Sequence, residues 1–128
     1  MFDVDDYKAK VKVRAIEWLR LTITEEDRNE DWAVVGDWVA QGLVKASNDY
    51  LPAEFDDATV VMLLSARPEL LDYRQGDGDT VRAHVRGVFK HDVCETLHEE
   101  VLREIGPIFA GIGGSVPDEF KSLKGFGL

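Results

Sequence analysis

The chain has 128 residues, 45% apolar and 31% charged, with a formal net charge of −10. This excludes a disordered chain and leaves enough length for one unstapled core, so a single helical domain over residues 1–128 is expected. The acidic balance disfavours direct nucleic-acid binding, which needs clustered Lys and Arg. The lone Cys94 excludes an internal disulfide, and no apolar run approaches the roughly 20 residues that span a bilayer.

Residues 3–22 predict a first helix. Val4, Tyr7, Val11, Ala15, Trp18 and Thr22 recur at three or four residues, and Ile16, Leu19 and Ile23 widen the stripe. Asp3, Asp5 and Asp6 lie where the helix dipole favours anions. The alternation in KVKVRA offers a strand instead, but the longer stripe outweighs it. The acidic leader MFDVDDYK is unlike a basic signal peptide, so a cytoplasmic protein with no membrane partner is expected.

Thr24 before Glu25-Glu26-Asp27 looks like a helix start. A second helix runs from there to about Ala46 on Trp32, Val35, Trp38, Val39, Gly42, Leu43 and Ala46. Asn29 or Asp31 is an alternative cap that leaves 25–28 as a single turn. Ser47-Asn48-Asp49 closes this helix. Asp56-Asp57 frame a third helix over 57–66, apolar nearly all round and therefore expected at the bundle centre. Pro68 suits the first turn of a short fourth helix ending near Gln75. Gly76-Asp77-Gly78 predicts a turn, with Asp79 capping the next helix.

In that last long helix, Val81, Val85, Phe89, Val93, Leu97, Val101 and Ile105 are apolar at a spacing of four. A step of four precesses by about 40°, so the stripe turns through about 240° along its length. Either neighbours wrap most of the helix, or it breaks near His91-Asp92 with Asp92 as a new cap. Gly106-Pro107 is the expected end. Beyond it, Gly111, Gly113 and Gly114 read as a hinge, and Pro117-Asp118-Glu119 could open a short helix with Phe120 and Leu123 inward. The expected fold class is all-α: a compact bundle of four to six helices with a glycine-containing C-terminal tail.

Charge is the strongest functional signal. Residues 25–57 hold ten carboxylates against two cations, Arg28 and Lys45, interleaved with Trp32, Trp38, Tyr50 and Phe55. A negative field with aromatic anchors suits a basic partner, by steering and then by burial. A merely solvated face is the bland alternative. Trp32 and Trp38 lie about 120° apart around a helix, so one of them is expected at a rim or on the surface. The candidate partner-binding residues are Glu25, Glu26, Asp27, Glu30, Asp31, Trp32, Asp37 and Trp38.

His91, Cys94, Glu95 and His98 share a helix face, and Glu95-x-x-His98 has the spacing used in di-metal bundles. Such bundles need two of these motifs and further inward carboxylates, and only one is present, so a polar face with a half-buried cysteine is the plainer reading. No cofactor is expected. The basic row Arg82, Arg86, Lys90 suits phosphates, an acidic partner, or a bridge to the chain's own acidic second helix. Lys8, Lys10, Lys12 and Arg14 spread around the first helix. Gly76-Asp77-Gly78-Asp79 fails the calcium-loop pattern at Val81 and Arg82, and Gly111-Ile112-Gly113-Gly114 lacks the Lys-Ser/Thr of a phosphate loop.

The expected function is that of a non-enzymatic binding protein, an adaptor or inhibitor. It would present its acidic, aromatic-containing face to a basic protein surface, such as a nucleic-acid-binding groove that its carboxylates imitate. A small phage or mobile-element inhibitor is one concrete form. The alternatives are a metal-dependent helical enzyme or sensor on His91, Glu95 and His98, and a subunit whose apolar tail docks into an oligomer.

Overall fold

Four α-helices carry the computed structural model, which describes residues 2–72 and 78–121. They are α1 (Val4–Thr22), α2 (Trp32–Tyr50), α3 (Asp57–Ala66) and α4 (Gly78–Gly111), joined by 3-10 turns at Glu25–Asn29, Pro68–Asp72 and Asp118–Phe120. The described residues contain no strand, and the all-α bundle is the observed fold. Among them no helix is long and apolar enough to cross a membrane. Gly76 and Asp77 of the expected turn and the inward Leu123 lie outside the described residues; α4 already includes Gly78, so Asp79 lies within that helix and is not its cap.

Each start has a local cause. Asp3 Oδ1 accepts from Asp6 N–H at 3.0 Å and Asp56 Oδ1 from Thr59 N–H at 2.8 Å, so these carboxylates cap α1 and α3. KVKVRA is helical, inside α1. Of the two starts open for the second helix, the later is observed: Asp31 is the N-cap residue, and 25–29 is a separate turn. The far end of α2 runs four residues past Ala46, to Tyr50. Ser47 does not close it, because its side chain is buried and donates back to Val44 O at 2.8 Å.

The core is built from rows at a spacing of four. α1 buries Tyr7, Val11, Ala15 and Leu19, and Ile23 continues the row. α2 buries Val35, Val39, Leu43 and Ser47. α4 buries Val85, Phe89, Val93, Leu97, Val101, Ile105 and Phe109, none more than 8% exposed. These rows are the i±4 ridges of each helix, and the three helices pack against one another. The long row on α4 stays buried by changing partners, not by breaking the helix. Phe89 meets Phe2, Tyr7 and Phe55 at centroid distances of 5.8, 5.5 and 5.6 Å, whereas Phe109 meets Trp32 at 6.3 Å. Asp92 caps no new helix; it pairs with Arg67.

Three expectations are corrected. α3 is not central: only Thr59 and Val60 are buried, and Val61 is 62% exposed. A ten-residue helix packed on α4 and on the 3-10 turn that follows it buries only the face between them, whatever its other faces carry. Gly106-Pro107 does not end α4, which runs to Gly111. Proline removes one ladder bond at a cost of ~3 kcal/mol, but full burial of Ile105 and Phe109 on either side holds the helix. The third concerns the glycine hinge, which is the helix cap. Gly113 has φ 96°, its N–H donates to Ala110 O at 3.0 Å, and Gly114 N–H donates to Phe109 O at 2.9 Å. That pair of bonds is a Schellman cap, which needs the left-handed backbone glycine adopts freely. Val81 is only half-buried and Thr22 is exposed, so each stripe is shorter there than expected.

One buried polar link ties α1 to α2. Tyr7 Oη donates to Ser47 O at 3.1 Å, and burial pushes the phenol up to about 12. The raised value means the folded state holds the proton where the unfolded chain, near pH 10, releases it. This contribution is complete below about pH 10 and is lost as pH rises towards about 12. Urea titrations from pH 9 to 12 should show a fall in stability that is smaller in Tyr7→Phe.

Candidate functional site

The fold divides the acidic stretch in two. α2 is about 28 Å long at 1.5 Å per residue and separates the carboxylates before it from those after it. The distal group is largely committed to structure. Asp49 lies 3.7 Å from Arg14, Asp56 caps α3, and Asp57 pairs with Arg82. Hydrogen bonds from Thr59 lower the Asp56 pKa. Arg82 also donates to Phe55 O at 3.1 Å and Arg86 to Pro52 O at 2.9 Å. Two members of the basic row therefore have an intramolecular role, as offered, but they bridge to the loop after α2 and to Asp57, not to the second helix itself.

The proximal group differs. Asp27 accepts from Thr24 N–H at 2.8 Å and fixes the 3-10 turn. Glu25, Glu26, Glu30, Asp31 and Asp37 are exposed and pair with no cation among the described residues. Asp31 holds the N-cap position with its backbone, its carbonyl accepting from Val34 N–H at 2.9 Å, while its carboxylate makes no cap bond. The positive end of the α2 dipole stabilises these anions without neutralising them. The result is one acidic pole carrying six carboxylates and Arg28 over residues 25–37.

Aromatic groups close the pole from behind. Trp32 opens α2 and meets Phe120 at 5.4 Å and Phe109 at 6.3 Å. Trp38 packs half-buried against the core. The expectation that one of the pair would lie at a rim is too simple, because both are half-buried. Tyr50 is exposed but belongs to the distal end, and Phe55 is core.

Phe120 on Trp32 also brings the neighbouring Asp118 and Glu119 of the strap towards this pole, with Asp118 paired to Lys121 at 3.1 Å, an addition the sequence did not reveal. The strap 112–121 lies on α4: Arg103 stacks 5.2 Å from the Phe120 ring and donates to Glu119 O at 3.3 Å. Pro117-Asp118-Glu119 does open a short turn, with Phe120 inward as expected. The contact spans the chain, so no local pattern marked it.

The histidine face lines a groove between α2 and α4 with Ala40 and Val44. Its members do not converge on one point: two pair with each other and two reach α2. His91 Nε2 lies 3.1 Å from Glu95 Oε1, His98 Nε2 lies 3.0 Å from Gly36 O, and Cys94 Sγ lies 3.8 Å from Ser47 Oγ. Among the described residues no three His, Cys, Asp or Glu are grouped so as to hold a metal ion. The Gly36 contact accounts for His98 as a tie between α4 and α2.

No family model matches the chain, nor does any curated protein or solved structure.

Proposed function

We propose that this protein is a non-enzymatic binding protein, an adaptor or inhibitor, whose acidic pole engages a basic surface on a protein partner. The observation that carries this reading is the contrast between the two acidic groups. Three of the four distal carboxylates cap a helix or pair with an arginine, Glu54 being the exception, whereas Glu25, Glu26, Glu30, Asp31 and Asp37 stand exposed at one end and pair with no cation among the described residues. An unneutralised cluster costs stability through self-repulsion and raises the encounter rate with a cationic surface. Carboxylates on a turn and a helix start, backed by Trp32, suit a groove that otherwise takes phosphates. A cytoplasmic setting agrees with the single unpaired Cys94.

A partner recovered from the native host should associate about tenfold more slowly at about 300 mM salt than at about 50 mM, because the Debye length shrinks below the spacing of the steering charges. Rates indifferent to salt would remove the steering role.

A further inference from the structure

The groove between α2 and α4 has a volume of about 450 Å³. Ala40 and Val44 form its α2 wall, and with Trp32 and Gly36 they make a row at a spacing of four. Ala40 and Val44 are exposed, Val44 by 43%, and a Cβ at Gly36 would meet nothing within 4 Å. The row is therefore open from Gly36 onward, and it carries no charge.

On the opposite wall the polar groups already have partners. His98 Nε2 lies 3.0 Å from Gly36 O, the Cys94 thiol donates to Ser47 Oγ, and His91 pairs with Glu95. What remains uncovered is apolar surface, which favours an apolar occupant.

The strap after α4 shows which occupant is at hand. It turns back along that helix: Gly114 lies against Phe109, and Phe120 lies against Gly106 and Arg103. The Phe120 ring meets Trp32, the first member of the α2 row, at 5.4 Å. The strap thus runs towards the N-terminal end of α4, on the side that faces α2. From Arg103, His98 and His91 lie about 8 and 18 Å further along the same axis, at 1.5 Å per residue. Seven more residues of chain reach up to about 23 Å when extended.

The next seven residues, SLKGFGL at 122–128, lie outside the described residues. They carry three large apolar side chains, Leu123, Phe126 and Leu128, one cation, Lys124, and no acid. That composition matches an apolar groove with the exposed Glu95 at its rim.

We propose that residues 122–128 continue the strap into this groove, with apolar side chains against Ala40 and Val44 and Lys124 beside Glu95. Phe120 on Trp32 is the first contact of the series, and the tail supplies the rest. Tethering at Phe120 gives the segment an effective concentration on the order of millimolar, which favours the chain's own tail over that of a second copy. Cys94 then lies beneath the tail. The inference does not depend on the acidic pole's having a partner.

Cys94 is the only thiol of the chain and lines the groove, so its alkylation by iodoacetamide in the full-length protein reports the cover. A triple variant, Leu123→Ser, Phe126→Ser and Leu128→Ser, should be alkylated at least about tenfold faster, the gain from releasing a segment docked about nine-tenths of the time. Val44→Ser, at an exposed position, should speed alkylation at least about threefold in the wild-type chain. In the triple variant it should add less than about 1.5-fold, because both changes remove the same contact. Leu21→Ser removes an exposed leucine on α1 and should leave the rate unchanged. Equal rates in wild type and the triple variant would mean an uncovered groove and overturn the proposal. So would an equal gain in Leu21→Ser, or additive gains from Val44→Ser and the triple variant. Protection of wild type that is lost on dilution would also overturn it, by assigning the groove to the tail of a second copy.

Discussion

Phe109→Ala is expected to lower the unfolding free energy by about 3–5 kcal/mol, through lost burial and the cavity left behind. Phe109 is fully buried, lies 6.3 Å from Trp32, and packs so closely on Gly114 that a Cβ there would meet its ring at 2.3 Å. The void would sit between three separate pieces of chain, the end of α4, the start of α2 and the strap. Glu100→Ala, an exposed position on the same helix, should cost under about 0.5 kcal/mol. Urea titrations of the two variants separate the outcomes. A Phe109→Ala cost no larger than that of Glu100→Ala would mean that α4 stops organising the core at Gly106, as its Gly-Pro pair suggests.

Gly106→Ala has an expected effect of the opposite sign to helix propensity. In an exposed helix, alanine for glycine stabilises by about 1 kcal/mol. Here a Cβ would stand 1.9 Å from Phe120 O and 2.8 Å from Phe120 C, both backbone atoms. The strap must move, and with it the Trp32–Phe120 contact at 5.4 Å. A loss of about 2–3 kcal/mol is expected, typical of forcing extra volume into a packed site. The same substitution in a chain ending after Gly111 should instead be neutral or stabilising, since the clashing atoms are gone. Thermal or urea unfolding of the four proteins closes this cycle. A stabilising effect in the full chain would show that the strap does not lie on Gly106.

Much of this architecture is legible in the residue pattern. The four-spaced row on α4 demands either a break or wrapping neighbours, and the buried run from Val85 to Phe109 shows the wrapping. Asp3, Asp31 and Asp56 are readable as starts because a short carboxylate before an apolar run has few other uses. Other features fail for physical reasons. Pro107 is a helix breaker by local propensity, but burial of Ile105 and Phe109 outweighs the lost bond. α3 reads as central by composition, yet burial depends on how many faces find partners, and only Thr59 and Val60 do. The acidic stretch is continuous in sequence but split in space by the length of α2. That division rests on helical rise alone and is within reach of the sequence. The recruitment of Asp118 and Glu119 is not, because it rests on Phe120 meeting Trp32 across 88 positions.

One carboxylate of the pole also has structural work that confuses a binding test: Asp27 fixes the turn through Thr24, whereas Asp31 holds the N-cap of α2 through its backbone alone. The cleaner substitutions at the pole are Glu25→Gln, Glu26→Gln, Glu30→Gln and Asp37→Asn, none of which removes a cap. Their counterpart is an equal charge change elsewhere: Asp5→Asn, Glu17→Gln, Glu54→Gln and Glu100→Gln, all exposed and outside residues 25–37. Both sets raise the net charge by the same amount, so any difference between them reports position and not overall charge. The decisive measurement is the equilibrium affinity of the three proteins for a partner recovered from the native host, at one fixed salt concentration. An acidic pole that docks on a basic surface predicts at least about a tenfold loss for the first set and less than about twofold for the second. Equal losses in both sets, or no loss in the first, would contradict it.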